Sequence, residues 1–177
     1  AGAGGITGTA AVVKAAPDGT TLGMVSNNHA INPSVFKSMP FDAIKDITPI
    51  SVLGATSLVL VVNPKVPARN VKELVALLKA KPDEYNYASS GNGTVIHLAG
   101  QMFLEEAGVK ARHIPYKGTG PMVTDLLSGQ VQMGVVALNA VLPHLKAGTL
   151  RAIGLCGASR SQAAPDIPTI AEQGLPA

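Results

Sequence analysis

Apolar positions in the second half of this chain switch repeatedly between two rhythms, a continuous or alternating run and a helical 3.6-residue repeat. "SLVLVVNP" is a continuous apolar run of the kind buried on both faces of a parallel sheet. "ARNVKELVALLKAKP" follows, with Val71, Leu74, Val75 and Leu78 at helical spacing and Asn70 placed to cap the first turn. "YNYASS" then predicts a strand, "GTVIHLAGQMFLEEAG" a helix ending on Gly108, "ARHIPY" a strand, and "GPMVTDLLSG" a helix with Pro121 in its first turn. "VQMGVV" predicts a further strand, "NAVLPHLKAG" a helix interrupted near Pro143, and "LRAIGLCG" another strand. Repeated strand-helix units imply right-handed crossovers and a mostly parallel sheet.

The first third is less regular. "TGTAAVVKAA" has the Ala-rich, apolar spacing of a helix and stops at the turn signal "PDG". "TTLGMVS" predicts a short buried strand, "NNHAINPS" a polar loop, and "ITPISVLG" a further strand. The tail "PDIPTIAEQGLPA" begins one more short helix. The pattern opens inside a loop that should follow a strand and stops before a closing element, so a fragment of a longer fold is expected.

Composition narrows the class. The 177 residues suit one large domain or two small lobes. Apolar residues make up 46% and charged residues 14%, with no Trp and 3% aromatics, so any core must be built from Val, Leu, Ile and Ala. The net charge is +3 and no two Lys or Arg are adjacent, which removes the basic stripe that nucleic-acid binding needs but leaves a balance suited to a small anion. Cys156 is the single cysteine, so no internal disulfide forms, and its apolar surroundings read as a small buried side chain. No apolar run reaches the roughly 20 residues of a membrane span, and no signal-peptide pattern occurs. These features predict a soluble chain, either cytoplasmic or processed after export.

Chemistry is sparse. "AGAGGITG" spells a glycine pattern, Gly2, Gly4 and Gly8, resembling a dinucleotide turn. That turn works only between a strand and a helix with an acidic ribose partner about 20 residues on, and Asp18 sits in a turn instead. No cofactor is expected. In open α/β sheets ligands collect at the C-terminal strand ends, where three loops stand out. "NYASSGNGTVIH" offers Ser89, Ser90, Gly91, Gly93 and Thr94 at a helix start, a combination that serves equally as an ordinary cap or as an anion site made of hydroxyls and free amides. "HIPYKGTGP" adds Lys117 and Gly118, and "SNNHAINPS" adds Ser26, Asn27 and Asn28. His97 shares a helix face with Thr94. His29, His113 and His144 look isolated. No nucleophile motif, metal-ligand spacing or carboxylate pair appears, although Ser89 or Ser90 with His97 at a helix-end oxyanion site keeps a hydrolase or transferase open as the alternative.

The ordered segments "AAPDGTTLGMVSNNHAINPSVFKSMPFDAIKDITPISVLG", "NYASSGNGTVIHLAGQMF", "HIPYKGTGPMVTDLLSGQVQM" and "PDIPTIAEQGLP" closely resemble the Bug family of solute-binding proteins, the extracytoplasmic receptors of tripartite tricarboxylate transporters. The resemblance runs from Gly2 to Pro176. It implies an α/β, two-lobed periplasmic-binding-protein (Venus flytrap) fold, each lobe a mostly parallel sheet flanked by helices, with residues 1–62 and 154–177 in a partial first lobe and 63–153 in the second. It also implies a small carboxylate held mainly by backbone amides, hydroxyls and water, a periplasmic location, membrane permease subunits as partners and a monomeric state. "SSGNGT" would supply one side of the cleft, and "SNN" with Thr56 the other. Two departures stand out: the family's P-x-A-G-G-x-x-D loop is not in this sequence, and Val136 and Ala137 stand where many members carry an Asp-Asn pair.

Overall fold

The computed structural model describes residues 3–82 and 84–175. Gly2 of the opening glycine pattern, and Pro176 and Ala177 of the expected first lobe, lie outside them. Five strands form one sheet: β1 (Leu58–Val62), β2 (Asn86–Ser89), β3 (Arg112–Pro115), β4 (Met133–Ala137) and β5 (Arg151–Cys156), in the order β3-β2-β4-β1-β5. β2 pairs in parallel with β3 and β4, while β1 is antiparallel to both β4 and β5. Four strands therefore run one way and β1 alone runs back. The expectation of burial for "SLVLVVNP" holds, since Val59, Val61 and Val62 are fully buried. The expectation that its neighbours are parallel does not, because an apolar run reports burial and is blind to direction.

The helices between these strands follow the predicted units. α3 (Val71–Ala80) buries Val71, Leu74 and Leu78, and Asn70 caps it by accepting from the Glu73 amide. α4 (Val95–Glu106) ends as its glycine predicts: Gly108 at φ +61° lets its own amide reach the Glu105 carbonyl and the Val109 amide reach that of Leu104. α5 (Thr119–Ser128) buries Met122 and Leu126. α6 (Leu138–Lys146) carries Pro143 inside it without interruption, contrary to the sequence reading. Proline's cost falls on the bond it cannot donate, and the rest of this helix is tied down by buried Leu138 and Val141. Together these faces close one apolar core from Val59 to Ile170.

Residues before β1 differ more from expectation. α1 (Ile6–Val13) forms where the Ala-rich stretch predicted it. "NNHAINPS", read as a loop, is mostly helix, α2 (Asn28–Val35), with Pro33 inside. "TTLGMVS" and "ITPISVLG", read as strands, pair with nothing, and Met24, Val52 and Leu53 are 85%, 90% and 81% exposed. A strand needs a neighbour to satisfy its backbone, and among the described residues none reaches them. α1 and α2 pack around a 3-10 turn at Ala3–Gly5, and none of the three joins the main core.

Candidate functional site

The C-terminal ends of β2, β3 and β4 lead directly into α4, α5 and α6, so two of the three loops singled out by sequence, those at Ser89–Thr94 and Tyr116–Gly118, share one rim with the β4–α6 junction, while the third forms α2. At the first, the chain leaves β2 at Ser89 and turns through Gly91 at φ +141° and Gly93 at φ +72°, a left-handed conformation that favours glycine. Thr94 is buried and caps α4, its hydroxyl accepting from the His97 amide and donating to the Gly91 carbonyl at 2.8 Å. The Val95 amide donates to Asn28 Oδ1 at 2.8 Å. Among the described residues, the amides of Asn92 and Ile96 meet no acceptor. Two unpaired donors at a helix start, where the macrodipole is positive, are what a carboxylate oxygen requires.

Beneath this turn lies a stack that the sequence reading missed. His113 stacks against both Tyr87 and His97, with ring centroids 4.8 Å and 4.2 Å away, and Tyr87 and His97 lie 6.4 Å from each other. Its Nε2 lies 2.7 Å from the Ser89 hydroxyl, which also accepts from the Gly91 amide. The Gly93 amide donates to His97 Nδ1 at 3.1 Å. Burial, helped by the neighbouring His97, holds His113 down to about 4, and burial alone lowers His97. Both rings are therefore neutral at pH 7, the state in which His97 Nδ1 can accept. His97 braces the turn from below. His113, which looked isolated, is its neighbour because the parallel register sets Tyr87 beside His113 and Ser89 beside Pro115. Period-2 alternation places Tyr87 and Ser89 on one face, but which strand lies alongside is a long-range fact.

The second loop joins the first: the Gly118 amide donates to the Ser90 carbonyl at 3.1 Å, and Gly118 at φ +112° begins α5. Lys117 is exposed beside it. Tyr116 donates to Asp125 at 2.7 Å, and burial together with that carboxylate pushes the phenol up to about 12. At the third junction the Leu138 amide donates to the Ser57 carbonyl, and Thr56 donates to Asn139 at 3.3 Å. Facing the first loop is α2, with Asn28 half-buried and Ser26 and Asn27 exposed just before it. The structure thus brings Asn28, Ser90, Gly91, Gly93, Thr94, His97 and Gly118 into one neighbourhood, and sets Thr56 at α6.

The hydrolase alternative joined Ser89 or Ser90 to His97, whereas Ser89 pairs with His113 and the Ser90 hydroxyl donates to Thr94 Oγ1 at 3.4 Å. The Ser89 hydroxyl is fully buried and, among the described residues, no carboxylate hydrogen-bonds the His113 imidazole, so this pair has neither access to a substrate nor the orienting partner of a catalytic triad. Cys156 is half-buried at the end of β5, and burial pushes its thiol up to about 11, away from the thiolate that a nucleophile needs. Among the described residues no three His, Cys, Asp or Glu cluster as metal ligands, and no helix is long and apolar enough to cross a membrane.

Comparison with known proteins assigns the chain to a family of receptors. The family described as "Tripartite tricarboxylate transporter family receptor" matches residues 1–177. Protein BugT of Bordetella pertussis is 40% identical over 178 residues, covering 99% of this chain and 55% of its own. Rpa4515 of R. palustris, solved with adipate, superposes with a TM-score of 0.94 at 33% identity over 97% of this chain and 58% of that one. MatC from Rhodopseudomonas palustris, solved with bound malate, gives 0.87 at 28% identity over 98% and 60%. The chain spans about half the length of the curated relatives it matches.

Proposed function

Since this chain belongs to the tripartite tricarboxylate transporter receptor family, whose members are solute-binding proteins and not enzymes, we propose that it captures a small organic carboxylate in the periplasm and presents it to a tripartite transporter. The observation that carries this reading is the β2–α4 turn, where the amides of Asn92 and Ile96 are unpaired at the positive end of α4. In this reading Ser89, Ser90, Gly91, Gly93 and Thr94 shape one wall, with His97 bracing it from below. Lys117 and Gly118 extend that wall, and Ser26, Asn27, Asn28 and Thr56 approach from the opposite side. In this reading the two walls belong to two lobes, residues 1–62 with 154–177 and residues 63–153, and closure bends the chain near "VVNP" and "AIGLCG", where the two stretches meet. Neutral donors suit a transported anion, because they hold it without a counter-charge that must be broken on release.

Adipate and malate, found on the two Rhodopseudomonas structures, are the first probes. Ligand present at 100 times its dissociation constant should stabilise the chain by about 2.7 kcal/mol, read as a rise in Tm. Native mass spectrometry of acid released from purified protein identifies the solute itself. No Tm rise across a panel of mono-, di- and tricarboxylates, together with no released acid, refutes the reading.

A further inference from the structure

α2 touches the candidate site at both of its ends. Its first residue, Asn28, accepts from the Val95 amide at 2.8 Å across 67 positions of sequence. Its last, Val35, fills the space beside Gly93: a Cβ added there would fall 2.2 Å from Val35 Cγ1. Residues separated by roughly two turns share a helix face, so α2 lies lengthwise along the β2–α4 turn. The attachment is shallow, since Val35 remains 40% exposed and α2 takes no part in the main core. It is held by a directional hydrogen bond and one small apolar contact, a combination that can separate and re-form without exposing a core.

We propose that Asn28 is a positioning residue, the latch that holds α2 on the first amide of α4, so that closing of the cleft and carboxylate capture meet at the same helix end. This rests on the receptor reading above. An amide suits that place better than a carboxylate. The first amides of a helix carry about half a positive charge between them, and an Asp would neutralise it, whereas Asn satisfies one donor and leaves the field for the ligand. Asn28 thereby separates two tasks: its oxygen takes Val95, and the solute takes Asn92 and Ile96.

The test uses hydrogen exchange at the Val95 amide and titration with adipate and malate. Asn28→Ala should speed Val95 exchange at least tenfold, leave the amides of Val61 and Val135 unchanged, and raise the dissociation constants about three- to tenfold. Asn28→Asp keeps the acceptor and should preserve Val95 protection while raising the dissociation constants tenfold or more. A residue serving only the local fold would give the opposite, with Asn28→Asp binding as wild type does. Unchanged Val95 exchange in Asn28→Ala, or wild-type affinity in Asn28→Asp, overturns the latch. A wild-type chain that binds neither acid counts against the receptor reading, and Val95 exchange then still decides whether Asn28 holds α2.

Discussion

Gly93 concentrates two constraints in one residue. Its φ of +72° disfavours any side chain, and Val35 occupies the place a Cβ would take. Gly148 has a similar φ of +69° and open space around it. Gly148→Ala should therefore cost only the backbone term, about 1 kcal/mol, while Gly93→Ala should cost about 2 kcal/mol more and displace α2. Urea denaturation of the two variants measures the difference, and equal losses would mean that α2 does not rest on this turn. His113 yields a second prediction. Its folded pKa of about 4 lies below its ordinary 6.5, so between those values the unfolded chain binds a proton that the folded chain refuses. Stability should fall as pH drops from about 6.5 to about 4 and lose nothing further from this group below that. His113→Gln should flatten that part of a Tm-against-pH curve; an unchanged slope would assign it elsewhere. Tyr87, His113 and His97 could not be grouped from sequence, because the stack is made by the register between β2 and β3.

At the scale of elements, periodicity was a good guide wherever a helix faces the sheet. α3 repeats its apolar residues at helical spacing and buries them, so Leu74→Ala should cost about 2–5 kcal/mol, and Asn70→Ala, which removes its cap, about 1 kcal/mol. Thermal unfolding orders the two; a smaller loss for Leu74→Ala would place its side chain outside the packed core. Periodicity failed where an element depends on a partner. "TTLGMVS" and "ITPISVLG" have strand composition and lack a neighbouring strand among the described residues. α2 was mistaken for a loop because Asn and Pro are turn residues by composition, yet its carbonyl-to-amide bonds begin with the Ser26 carbonyl accepting from His29 and run through Asn32 to Phe36.

The whole molecule is uneven, with a closed core around the five strands and a first third whose large apolar side chains stand in water. Met24, Ile44, Ile50, Val52 and Leu53 are each at least 77% exposed, and an apolar surface of that kind promotes association. Sedimentation velocity should show concentration-dependent self-association of this chain, reduced by Val52→Asp with Leu53→Lys. A monodisperse species at all concentrations would show that these side chains find cover within the chain. The same unevenness bears on function, because Asn28 and Val35 reach the site from outside the core.

The order of strands and helices from β1 onward, the caps of α3 and α4 and the candidate turn at Ser89 to Thr94 were all legible in the sequence, because each depends on residues within a few positions of one another. So was the family, carried by many short segments in fixed order. The reversed direction of β1, the stacking of His113 on His97 and the meeting of Asn28 with Val95 were decided only by tertiary structure. Each joins residues far apart in the chain, and local periodicity carries no information about which distant surface a side chain will meet.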